Sequence, residues 1–148
     1  MSRLLTVTAL IAATTGCIIY DSGPDTVVVD DDPVYYNAEP YVFDGYAGCY
    51  YDRANRDDIV WFEAWVDDAD GVYDVVSVWA DVYDDWSGEL VQTFELYPTN
   101  DPRVWYSDWL VSTTWIDCWY PSYSVDLVAY DSVDAAGVLT IWPEVYVY

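Results

Sequence analysis

From Tyr41 onward the chain alternates apolar and polar residues in short runs, and turn residues break the alternation roughly every eight to twelve positions. A period of two sends successive side chains to opposite faces of an extended strand, and no segment repeats at the helical 3.6. Strands are expected over residues 41–46, 58–66, 75–83, 90–97, 104–111, 123–130 and 138–142. Asp70-Gly71, Ser87-Gly88, Asn100-Asp101-Pro102 and Ala136-Gly137 supply turns between them. Pro143 removes a ladder donor, so pairing should stop there and resume, if at all, over 145–148 at a sheet edge. The expected class is all-β, with about seven short antiparallel strands.

The same alternation assigns faces. Val60, Phe62, Ala64 and Val66 form an uninterrupted apolar row, as do Val76, Val78, Ala80 and Val82. Tyr123, Val125, Leu127 and Ala129 form a third, with Ser124 and Asp126 on its other side, and these rows should meet in a core. A net charge of −23 would by itself suggest disorder. An apolar fraction of 54%, with nine Trp, sixteen Tyr and three Phe, points instead to a packed domain. About 100 residues are enough to bury well over half of the unfolded surface.

Composition prunes function sharply. Four arginines stand against 27 acids, and Lys and His are absent. Nucleic acid is excluded as a natural partner because phosphate binding needs a basic footprint, and anionic headgroups are disfavoured for the same reason. Without His or Lys there is no Ser-His-Asp or Cys-His machinery, no Schiff-base lysine, no Walker lysine and no histidine metal site. Paired carboxylates leave glycoside hydrolysis as a remote alternative, but among 27 acids some suitable pair always exists. A non-catalytic protein is expected.

Residues 1–17 combine a basic start at Arg3, an apolar run over 4–13 and the small residues Thr14-Thr15-Gly16 before Cys17. The run is shorter than the roughly 17 residues that span a bilayer, so it reads as an export signal. It resembles the signal of bacterial lipoproteins, whose lipobox ends in Gly/Ala-Cys, with Thr14 where that family usually has Leu. The resemblance implies removal of residues 1–16, acylation of Cys17, and anchoring in the cell envelope, in the outer membrane by preference. Residues 17–40, with Pro, Gly and the Asp30-Asp31-Asp32 run, then form an acidic tether, with an edge strand over 26–29 as the alternative. Once Cys17 is lipidated, Cys49 and Cys118 are left, and two cysteines in an exported chain pair most simply with each other.

The segment IVWFEAWVDDADG, followed by VVSVWADV and later by YSVDLVAYDSVDAAG, resembles bacterial immunoglobulin-like or fibronectin type III-like domains over about residues 41–142. The resemblance implies an antiparallel immunoglobulin-like β-sandwich over 41–148, with Tyr123 as the candidate for a tyrosine corner. It also implies that Cys49, between the first and second strands, and Cys118, between the fifth and sixth, lie at one end. The loops with Asp67, Asp68 and Asp70, with Asp101, and with Asp131 and Asp134 would share the other. Carboxylates converging there would repel unless solvated or neutralised by a hard cation, which makes Asp67, Asp68, Asp70, Asp131 and Asp134 candidate Ca²⁺ ligands. An EF-hand is excluded, because aligning Gly71 with its glycine puts Val66 and Ser77 at ligand positions. No cofactor is otherwise required.

If the Val60 row faces inward, Trp61 and Trp65 point outward beside Glu63, and Trp105 and Trp109 are expected alongside them. Such a face suits cross-strand packing, a protein partner, or sugar rings that stack on flat aromatics. The expectation is an envelope-anchored interaction module held to the membrane through its lipid. An envelope protein is its expected partner, and a carbohydrate-binding sandwich is the alternative.

Overall fold

The computed structural model describes residues 37–143 of the chain. The expected signal segment 1–16, Cys17, all but the last residues of the tether and the resumed strand at 145–148 lie outside the described residues. Seven strands follow in order: β1 (Tyr41–Asp52), β2 (Asp57–Asp67), β3 (Val75–Asp84), β4 (Leu90–Pro98), β5 (Val104–Leu110), β6 (Tyr123–Asp131) and β7 (Ala136–Ile141). Single 3₁₀ turns occupy Val72–Asp74 and Val111–Thr113.

All pairings are antiparallel, and the strands hydrogen-bond in the order β1-β2-β5-β4-β3-β6-β7. The expected pair of separate sheets is corrected here. β4 carries the ladder across to β5 through Tyr97 opposite Tyr106 and Pro98 opposite Trp105, so the strands make one nearly closed sheet. Its two halves curl face to face. Phe62, Ala64 and Val66 of β2 share the core with Val78, Ala80 and Val82 of β3 and with Val125, Leu127 and Ala129 of β6. Phe62 and Phe94 join the halves, with ring centroids 4.8 Å apart. On the open side two glycines let β1 come close to the far edge. A Cβ at Gly45 would overlap Leu127, and one at Gly137 would overlap the Pro40 carbonyl.

Two details of the sequence reading are overturned. The register slips between Val75 and Ser77 opposite β6, so Val75 turns inward and Val76 is 55% exposed. An irregularity of this kind inverts the faces on one side of it, which no strict alternation can foresee. The first strand also continues past Tyr46: Gly48 pairs with Trp61 and Cys49 with Val60. Cys49 therefore lies within β1, while Cys118 lies in the β5–β6 connection as expected. The two are joined in a disulfide with Cα atoms 5.9 Å apart, inside the usual bridging range.

Because neighbouring strands are antiparallel, the β2–β3, β4–β5 and β6–β7 loops fall at the end where β1 begins. Val75, just after the first of these loops, pairs with Asp131, just before the last, so the two acidic loops adjoin.

Candidate functional site

The outward face of β1, β2 and β5 is built by register. Trp61, Glu63 and Trp65 alternate with the buried row of β2. Opposite them on β1 stand Gly48, Tyr46 and Asp44, and on β5 Asp108, Tyr106 and Val104. Glu63 thus has Tyr46 and Tyr106 as cross-strand neighbours and Trp61 and Trp65 two positions away along its own strand. Its Oε1 accepts the Trp65 indole N–H at 2.7 Å. A register slip after Val42 leaves Phe43 exposed, where it meets Trp65 edge-on at 6.2 Å.

Gly48 shapes the centre of this face. A Cβ there would lie 3.2 to 3.3 Å from Nε1, Cε2 and Cζ2 of Trp61. Equal approach to three contiguous ring atoms places the face of the indole, rather than its edge, over the glycine. Trp61 therefore lies down on β1, and Tyr106 runs nearly parallel to it, 24° apart with centroids at 6.5 Å. The phenols sit among carboxylates. Tyr46 donates to Asp44 Oδ2 at 2.9 Å, and that bond raises its pKa. Tyr106 is pushed up to about 12, first by burial and then by the charge of Asp108, with Tyr50 and Glu63 adding to it. These side chains stay neutral donors at any ordinary pH.

Trp105 and Trp109 do not belong to this surface. They pair with Ala64 and Val60, so they share the inward face with Ser107. Trp105 is 7% exposed, and Trp109, 37% exposed at the rim, packs on Phe94 at 5.9 Å. The error was one of parity: β5 reads Trp-Tyr-Ser-Asp-Trp, with aromatics on both faces, and only its register against β2 decides which faces out. Tyr46, Gly48 and Tyr106 were missed for the same reason. The Tyr46-x-Gly48-x-Tyr50 alternation is the trace of the first two in the sequence.

At the acidic end the expected residues separate into distinct environments. Asp67 pairs with Arg103 at 3.2 Å. Asp131 is buried and accepts from the Asn37 side chain at 2.6 Å and from the Val133 and Ala135 amides, which together hold its pKa below the usual carboxylate value. Asp134 is exposed in the β6–β7 turn at φ 65°. Asp68 and Asp70 come together, and Asp74, which was not foreseen, joins them. Gly71, at φ 124°, turns the chain into the Val72–Asp74 3₁₀ turn and so returns Asp74 to the group. Asp101 serves its own loop instead, accepting from the Arg103 amide at 3.0 Å.

Beneath the disulfide lies a cavity of about 370 Å³ lined by Phe62, Val82, Ile116, Tyr123 and Val125. At its rim the Asp117 amide donates to Tyr123 Oη at 3.1 Å and the Tyr120 hydroxyl to Asp84 Oδ2 at 3.0 Å, and the lining is mainly apolar. Among known proteins, no family model, no curated sequence and no solved structure matches the chain.

Proposed function

We propose that this protein is a non-catalytic, envelope-anchored lipoprotein whose β-domain is an immunoglobulin-like interaction module, binding through the outer face of β1, β2 and β5. The observation that carries the reading is Glu63 ringed by Tyr46, Trp61, Trp65 and Tyr106. Tyr46 is exposed and Trp61, Trp65 and Tyr106 are half-buried on this outward face. A contiguous outward aromatic surface is characteristic of an interface, and aromatic side chains dominate interface energetics. Asp44, Glu63 and Asp108 give it one sign of charge. A protein partner that lays Arg or Lys side chains over these rings gains both cation–π and carboxylate contacts. The lipobox-like end at Cys17 supports the anchor. The strand order supports the immunoglobulin-like description, and so does the Asp117–Tyr123 bond, which has the form of a tyrosine corner.

A second reading, saccharide binding, is favoured by one feature: the indole of Trp61 lies flat over Gly48, as a platform for a sugar ring would. Binding of the protein to isolated envelopes separates the two. With a protein partner, protease treatment of the envelopes abolishes binding and added salt weakens it. With a saccharide, periodate abolishes it. Trp61→Ala combined with Tyr106→Ala should reduce either at least tenfold, while Val138→Ser, an exposed change on β7, leaves it intact. Unchanged binding by the double variant rejects this face. Cys17→Ser should shift the protein from the membrane to the soluble fraction, and unmodified Cys17 in membrane-bound protein would refute the anchor.

A further inference from the structure

The geometry points to a calcium site in the β2–β3 loop with Asp68, Asp70 and Asp74 as its carboxylate ligands. One oxygen from each lies within 4.8 Å of the others. Oxygens held at 2.3–2.6 Å from a Ca²⁺ ion stand no more than about 5 Å apart, so three such oxygens fit on one coordination sphere.

Asp68 supplies the independent observation. It is only 5% exposed. Its Oδ1 accepts the Asp70 amide at 2.7 Å, but Oδ2 is fully enclosed and has no hydrogen-bond partner among the described residues. An enclosed carboxylate oxygen without a donor is costly, and two further carboxylates beside it raise the cost by repulsion. The nearest basic side chain does not answer that charge, since Arg103 is engaged by Asp67. A divalent cation satisfies the orphaned oxygen and the repulsion at once.

The donors left over are consistent with this role. Asp70 Oδ2 accepts the Ala38 amide at 2.6 Å, and Oδ1 accepts no hydrogen bond among the described residues. Among the described residues no donor is bonded to the Asp74 carboxylate. Asp131, by contrast, is satisfied by protein donors and serves as a strut, held to Asn37. Asn37 and Ala38 therefore connect Asp131 to Asp70, and a cation that fixes Asp70 also fixes the chain where it enters β1. Three carboxylates on a turn, completed by carbonyl or water oxygens, suit the irregular sphere of Ca²⁺ better than the strict octahedron of Mg²⁺. With Asp70 exposed and Asp74 half-buried, the affinity should fall in the weak range of extracellular modules, roughly 10⁻⁴–10⁻³ M.

The test titrates CaCl₂ into the chelator-stripped full chain, against MgCl₂ and against NaCl at matched ionic strength, because screening alone also helps so acidic a protein. Thermal midpoint and exchange of the Ala38 amide are followed together. The expected result is a saturable rise of several degrees with CaCl₂ and at least tenfold slower Ala38 exchange. Asp68→Asn and Asp74→Asn should each abolish both effects, while Asp85→Asn, an exposed acid at the opposite end, keeps them. If Asp68→Asn does not fold, Asp74→Asn decides. No saturable rise above the NaCl control, or a rise that survives in Asp74→Asn, overturns the site. An equal response to MgCl₂ overturns the assignment to calcium.

Discussion

Ser107 lies on the inward face of β5 opposite Phe62, is 5% exposed, and has a hydroxyl with no hydrogen-bond partner among the described residues. Folding strips that hydroxyl of water and returns nothing, a loss that mutational series place at about 1–3 kcal/mol. Alanine keeps the backbone and most of the volume, so Ser107→Ala should raise stability by about 1 kcal/mol, read as a higher urea midpoint at unchanged slope. Trp105 stands two positions away with its indole N–H likewise unpartnered. Its ring belongs to the buried core, so apolar contact offsets the unmade bond. On the outer face glycine has the decisive role. Gly48 has no Cβ where the Trp61 indole rests, and an added one would make the ring give way by a few tenths of an ångström.

Like β7, β1 is an edge strand among those described. It hydrogen-bonds only to β2 among the described strands and meets β6 and β7 by side contact, close at Gly45 and Gly137. The Cys49–Cys118 disulfide fastens its far half to the β5–β6 connection across a sequence separation of 69. Closing a loop of that length in the unfolded chain corresponds to about 4 kcal/mol in the chain-entropy model. The Cys49→Ala/Cys118→Ala double variant should lose roughly that amount in chemical denaturation. Amide exchange should rise first in β1 and least in β3 and β6, which pair on both sides.

For the whole molecule the net charge of −23 makes pH the natural probe. Tyr46, Tyr83, Tyr97, Tyr106 and Tyr120 all have raised pKa values, from carboxylates beside them or from burial, and Tyr106 reaches about 12. A phenol whose folded pKa exceeds its unfolded value of 10.0 stabilises the fold fully below pH 10, and that stability is lost as pH rises toward 12. The thermal midpoint should therefore fall between pH 10 and pH 12, and less steeply in Tyr106→Phe. Asp57, Asp84 and Asp131 act in the opposite sense. Ser112, the Ser87 amide and Asn37 respectively do most to lower their pKa values. Their contribution is present above the ordinary carboxylate value of 3.8 and lost as pH falls through the lowered ones. Protonation of the other acids relieves repulsion over the same range, so the acid limb should be shallower than the alkaline one.

Much of the architecture is legible in local pattern. Period-two alternation with Gly and Pro punctuation places six of the seven strands within two residues of their observed bounds, because burial of one strand face is a local property that each segment carries by itself. The first stops six residues short. Cysteine parity likewise anticipates the disulfide, since setting Cys17 aside as the proposed lipid site leaves two partners. What one strand lays beside another is not local. The inward turn of Trp105 and Trp109, the outward turn of Val76, the meeting of Glu63 with Tyr46 and Tyr106, and the return of Asp74 to Asp68 all depend on register, a bulge or a turn. A shift of one residue exchanges the two faces of a strand at no cost to its own alternation. The sequence therefore determined which segments are strands and, where an apolar row is unbroken as in β2 and β6, which side they bury. Only the tertiary structure decided which outward residues become neighbours, because that choice is made by hydrogen bonds between segments far apart in the chain.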